Sequence, residues 1–282
     1  MPNPVLNERT MQSAPAAWAP PEPSTMGGAG YGAGTPVSDG PVSTWRPKVM
    51  TVNGTISATA SLFVLLLASA AVGWIMVGDP EIVERDGVLY QQSSIPLLAW
   101  GGLIVGIALT FLLMFRPHLA RFVAPVYALA QGVFVGAISR GYENFYDGIV
   151  VQAAGATIAV FGVMLVLYRT RIIKVTKRFR TVVTAATLGV MVFYGLCLLI
   201  RLFAGPDSIS FLSSPSLLGI GFSVLVAGLA AFNLALDFDF IERGAKQGLD
   251  KNFEWFAAFG LLVTIIWLYL ELLRLLSKLR ER

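Results

Sequence analysis

Seven stretches of this chain, at 54–77, 95–115, 119–139, 147–168, 181–204, 216–239 and 254–277, are apolar almost without interruption, each 21 to 24 residues long. About 20 such residues, wound as a helix, cross a hydrocarbon layer of about 30 Å. A segment in lipid must satisfy its own backbone hydrogen bonds, which selects the helix. The runs do not alternate apolar and polar residues, as the strands of a membrane barrel would. The pattern therefore predicts an all-α integral membrane protein with seven transmembrane helices. The third run follows Arg116-Pro117-His118 and carries Pro125 and Gln131 within it.

Composition agrees. The chain is 55% hydrophobic and 13% charged, against about 25% charge in a typical soluble domain. That leaves too little polar surface to coat a water-facing globule. The net charge of +4 does not point to nucleic acid, because the basic residues sit in short connections between apolar runs. Residues 1–44 are rich in Pro, Gly, Ala and Ser, cannot bury enough apolar surface to offset chain entropy, and read as a disordered cytoplasmic tail. Residues 45–282 form the membrane domain. No basic start followed by an apolar run opens the chain, so the first span is expected to target it. Cys197 is the single cysteine, which precludes an internal disulfide and offers no metal cluster. The zinc-protease, nucleophile-elbow and phosphate-loop motifs are absent. We expect no enzyme activity, no cofactor and no resident metal.

Orientation follows from Lys and Arg in the connections. With the N-terminus inside, the cytoplasmic segments hold Arg9, Arg46, Lys48, Arg116, Arg121, Arg169, Arg171, Lys174, Lys177, Arg178, Arg180, Arg243, Lys246 and Lys251. The loops on the other side hold Arg85, Arg140 and Arg201, beside the acidic run Asp79, Glu81, Glu84 and Asp86. The expectation is a multi-pass protein of the cell membrane with a cytoplasmic N-terminus. Seven full spans put Arg274, Lys278, Arg280 and Arg282 outside. These side chains would then snorkel to headgroups; a re-entrant last or penultimate run would place them inside instead. Seven full spans is the favoured reading.

Few side chains could carry chemistry. Asp237 and Asp239 lie near the inner end of the sixth run; two positions apart, they point about 200° apart on a helix. A carboxylate in an apolar run faces the bundle interior or a water cavity and seeks a partner. Arg116, Arg121 and Arg243 are available on that side. Glu271 has Arg274 three residues on, on the same face. Gln131, Gln152, Asn233 and Thr264 can hydrogen-bond between helices. Gly102-x-x-x-Gly106 and Gly132-x-x-x-Gly136 allow close helix approach and read as internal packing. His118 reads as a solvated loop residue. The loop at 169–180, with Lys174, Lys177, Arg178 and Arg180, can contact anionic lipid headgroups.

The runs APVYALAQGVFVGAIS at 124–139, YENFYDGIVVQA at 142–153, IKVTKRFR at 173–180 and IWLYLELLRLL at 266–276 resemble the Bax inhibitor-1 family, and most closely its bacterial branch, which includes YccA-type proteins. The likeness covers about residues 45–277. It implies a seven-helix bundle with the last helix at the centre. It also implies a role in membrane cation balance, since family members are described as pH-sensitive calcium leaks and as modulators of stress responses or membrane proteases. The family motif pairs an Asp near the end of the sixth helix with a second in the seventh, as a proton sensor. LALDFDFI at 234–241 places Asp237 at the first position. Ten residues before Arg274 stands Thr264, where the second carboxylate is expected. Arg116 is the nearest match to an Arg associated with the pair. The resemblance thus implies a leak for calcium or another cation, with proton-linked gating through Asp237. The alternative is a non-transporting regulator that binds another membrane protein, such as a quality-control protease; the missing second acid and the long tail favour it.

Overall fold

A computed structural model of the chain describes residues 49–85, 88–92, 96–204 and 214–282. The tail at 1–44 lies outside the described residues. Among the described residues seven α-helices form: α1 (Val52–Met76), α2 (Leu97–Phe115), α3 (Ala120–Glu143), α4 (Ile149–Arg169), α5 (Lys177–Ala204), α6 (Leu217–Lys246) and α7 (Phe253–Arg280). The shortest has 19 residues, or about 28 Å at 1.5 Å per residue. All seven are long and apolar enough to cross a membrane. A 3₁₀ turn at Pro117–Leu119 joins α2 to α3. The connection after α1 holds a two-stranded antiparallel hairpin, β1 (Glu81–Arg85) and β2 (Val88–Gln92), in the register Glu81↔Gln92 to Arg85↔Val88.

Helix ends depart from the apolar runs where polar residues continue the helix. α6 runs on to Lys246 because Arg243 reaches Asp239 and Lys246 reaches Glu242, each one turn apart; such pairs support a helix outside lipid. It stops at Gly248, whose φ of +65° is a left-handed conformation natural to glycine. Caps set two other starts: the Thr51 hydroxyl accepts from Gly54 N at 2.9 Å before α1, and Ser216 accepts from Gly219 N at 3.1 Å before α6.

α7 lies at the centre. It packs against α1, α3, α4 and α6 and contributes to both large core clusters. Phe259 and Leu262 join Leu62, Leu66, Leu113 and Tyr127, while Leu261 and Leu268 join Tyr168, Leu234 and Phe238. Tyr127 meets Phe259 edge-on, with centroids 4.7 Å apart. The outer surface exposes Leu67, Ile75, Leu97, Met114, Ile158, Leu188 and Leu198. A belt of large apolar side chains on this scale needs lipid to cover it. Both glycine spacings work inside the molecule. Gly132 and Gly136 sit on the α1 backbone at Leu66 and Ala70, and Gly102 and Gly106 sit on Ala130 and Gln131 of α3.

The start of α1 marks what we call the near face. Met50 N donates to Leu249 O at 2.6 Å, and Thr51 donates through N and Oγ1 to Glu254 Oε1 at 2.9 and 2.8 Å. This strap ties the start of α1 to the start of α7. α7 ends on the opposite, far face, where Arg280 donates to Asp147 O at 2.7 Å and the Tyr146 hydroxyl donates to Glu281 at 2.5 Å. The last run therefore crosses fully; it is not re-entrant. Its basic residues do not behave as free snorkelling cations. Arg274 bonds Glu271 and Tyr194, and Lys278, only 2% exposed, donates to Gly219 O and Ser223 Oγ at 3.0 and 2.9 Å. Partners on α5 and α6, which only folding assembles, take these charges inward.

Candidate functional site

The near face opens into a cavity of about 500 Å³ between α5, α6 and α7, lined by Arg180, Asp237, Arg243, Gln247, Phe256 and Gly260 among others. Asp237 is part of that lining. The α6 helix turns this side chain toward α7 beside Gly260, where an added Cβ would lie in ordinary contact, 3.8 Å from Asp237 Oδ1. Thr264, one turn along α7, donates its hydroxyl to Gly260 O at 3.1 Å and lies close enough to interact with the Asp237 carboxyl. Asp237 Oδ2 is buried without a hydrogen-bond partner among the described residues. A bare carboxylate oxygen in such a place is costly, so the site favours whatever neutralises or ligates it.

Asp239 is turned the other way, as the helical period requires. Its carboxylate takes Arg180 Nη2 at 2.8 Å from α5 and Arg243 Nε at 2.9 Å from its own helix. Two half-exposed guanidiniums on one buried carboxylate form a charge-assisted clamp across α5 and α6. Glu242, a turn further out, accepts from the Tyr168 hydroxyl, from Arg171 at 2.7 Å and from Lys246 at 2.5 Å.

The structure thus brings Asp237 and Thr264 together and sets Asp239 beside them as an ion-paired neighbour. It does not bring in Arg116, which is exposed at the end of α2, lines no part of the cavity and makes no ion pair among the described residues. Arg121 is likewise exposed. Of the four residues expected at headgroups, Lys174, Lys177 and Arg178 are exposed, whereas Arg180 is held by Asp239. Sequence reasoning did not select Arg180 as that partner: 59 positions separate it from Asp239, and nothing local marks the pairing. It also missed Glu254, buried and bonded to Thr51, whose position in the first turn of α7 was the available signal. Asn233 does bridge helices, donating to Thr187 Oγ1 of α5 at 2.8 Å. Gln152 is exposed.

One carboxyl lining such a cavity can bind a proton or offer one ligand to a passing cation. It cannot share a proton with a facing acid, because the neighbour is a hydroxyl. Among the described residues no group of three or more His, Cys, Asp or Glu side chains gathers to hold a metal ion.

No curated protein matches the chain. The family model described as Bax inhibitor 1 like matches residues 3–281, so that seven membrane-crossing helices, a central last helix and an acid at the end of the sixth stand within one continuous match: this chain belongs to the Bax inhibitor 1 like family and is a multi-pass membrane protein.

Proposed function

We propose that the protein is a cation leak, for calcium or another cation, whose conductance is set by the protonation of Asp237. The observation that carries this is the buried Oδ2 of Asp237, unpartnered among the described residues, on a residue that lines the near-face cavity. An ion entering the cavity passes Arg180 and Arg243, whose charges Asp239 partly offsets, and meets a carboxyl that is either anionic or neutral. With Asp237 ionised, the formal charges of these four groups cancel; with it protonated, they sum to one positive charge. One proton thus changes the field an entering cation meets. The Lys and Arg distribution supports a near face in the cytoplasm of a cell membrane. The protein is not proposed to be an enzyme.

The test is flux into proteoliposomes across pH 5–8. The wild type is expected to pass calcium or another cation with a pH-dependent rate, and Asp237→Asn to pass it at one rate throughout. Flux no greater than in empty liposomes at every pH defeats the reading.

A second reading, a regulator docked on another membrane protein, draws support from Thr264 standing where a second acid is expected and from the long Pro/Gly/Ser-rich segment at 1–44. Pull-down from native membranes with and without residues 1–44 separates the two; a chain recovered alone in both cases removes its support.

A further inference from the structure

A cavity of about 780 Å³, separate from the near-face one, opens sideways between α1 and α4. Both helices pack on α3 and α7 but scarcely on each other, which leaves a groove floored by α3 and α7. Its lining on α1 runs from Thr55 to Trp74, about 28 Å of helical rise, close to the depth of a hydrocarbon layer of about 30 Å. Ile56, Leu67 and Ile158 line its walls and are exposed. The groove is therefore continuous with the apolar belt that faces lipid.

The lining contains hydroxyls, but folding uses them. Thr55, Thr59 and Thr157 donate to the carbonyls of Thr51, Thr55 and Ala153, one turn back, at 3.0, 2.8 and 2.7 Å. Ser139 donates to Val135 O at 2.7 Å and meets the Tyr269 hydroxyl at 2.6 Å. Methyl, methylene and ring surface remains, from Phe63, Ala71, Phe161, Leu261 and Ile265 among others. Water has little to hold it there, since a buried water needs two or more polar partners. The groove is also slender. About 780 Å³ spread over about 28 Å is a mean section of about 28 Å², whereas a helix about 10 Å across takes about 80 Å². An acyl chain of the surrounding bilayer has both the slenderness and the chemistry.

Charge distinguishes the two ends. At the far end Arg140 of α3 stacks over the Trp74 ring, 5.4 Å from its centroid, and donates through Nη2 to Asp79 Oδ1 at 2.8 Å. The Asp79 side chain is 91% exposed, so a phosphate arriving at Arg140 competes with a solvated carboxylate and not with a buried one. A guanidinium carries five donors in a fork that suits phosphate. At the near end Glu254 lies against Gly54, next to Thr55, and an anion there repels phosphate. We propose that the groove binds an anionic phospholipid of the far leaflet, with its phosphate at Arg140 and one acyl chain laid between α1 and α4. One leaflet is half the hydrocarbon depth, about 15 Å, so the chain enters beside Trp74 and ends near Phe63, against Ile266 and Tyr269 of the central helix. The site stands or falls independently of the leak reading.

The test is photolabelling of the full chain in phosphatidylcholine nanodiscs doped with phosphatidylglycerol that carries a diazirine midway along one acyl chain. Labelled residues are mapped by mass spectrometry. Label is expected on the groove walls of α1 and α4 at several times its level on α5, whose Leu188 and Leu198 face lipid from outside the groove. Ala71→Phe and Ala154→Phe fill the far half from opposite walls and are expected to remove that excess. Ala71 is exposed and Ala154 half-buried, so neither change enters the packed core. Arg140→Gln is expected to erase the preference for labelled phosphatidylglycerol over phosphatidylcholine bearing the same diazirine, and it carries the test if a filled variant folds poorly. Label spread evenly over α1, α4 and α5 means ordinary surrounding lipid and overturns the proposal. So does an excess that survives both fillings, a preference unchanged in Arg140→Gln, or a dimer that the fillings abolish, which would put a second copy in the groove.

Discussion

Asp237 and Asp239 show how two positions of sequence separate two chemistries. The helical period sends one carboxyl to α7 and the other to α5, and only the second finds cations. Asp239 thereby holds Arg180 and Arg243 away from Asp237, although both guanidiniums line the same cavity. In Asp239→Asn those two charges lose their counter-ion beside Asp237. Added positive charge favours an ionised carboxylate, so the pH dependence of flux is expected to move to lower pH. Both arginines are about half-exposed, so the clamp is worth less than a fully buried pair; the variant is expected to lose about 1–2 kcal/mol in thermal unfolding in detergent. A pH profile that stays in place, or moves upward, means Asp239 does not govern the field at Asp237. Of this site the acid was legible in sequence, because a carboxylate in an apolar run is rare. The role of Arg180 was not, since a chain shows six basic residues in one loop without saying which of them folding brings to an acid on another helix.

Helix existence was legible for a simple reason: apolar length is a local property, and lipid thickness sets it. What was not legible is what happens where apolarity ends. The final turns of α6 carry Asp239, Glu242, Arg243 and Lys246, which look like a loop by hydropathy and hold together as a helix by one-turn ion pairs. The hairpin β1–β2 was invisible beside the runs around it, being two five-residue strands in an acidic connection. Glycine spacing, by contrast, foretold real contacts. Gly136 lies so close to α1 that a Cβ would collide with the Ala70 carbonyl, while Gly162 of α4 has open space around it. Gly136→Ala must push α1 from α3, at an expected cost of about 1–3 kcal/mol. Gly162→Ala only gains helix propensity, up to about 1 kcal/mol. Thermal unfolding of both variants in one detergent checks this; equal midpoints would mean the α1–α3 contact is not as tight as the backbone places it.

At the scale of the molecule, an odd number of crossings forces the two ends of the helical domain to opposite faces, and charge decides which face is which. The connections at the near face carry Arg116, Arg121, Arg169, Arg171, Lys174, Lys177, Arg178, Arg180, Arg243, Lys246 and Lys251. The far face gathers the end of α7 with Arg280 and Arg282, a basic tip that by charge alone would be kept inside. The fold relieves this conflict by giving the charges internal partners. Arg274 is offset by Glu271, Lys278 is buried against α6, and Arg280 is bonded to the Asp147 carbonyl. The near-face excess is then free to set orientation. In a Cys197→Ser background, Lys174→Cys and Arg282→Cys place one thiol on each face. A membrane-impermeant maleimide is expected to label position 282 in intact cells and position 174 only after lysis. Labelling of both positions from the same side would break the seven-crossing arrangement. Labelling of 174 alone in intact cells would keep the crossings and invert them, which would put the mouth of the Asp237 cavity outside and make external rather than internal pH the signal it receives.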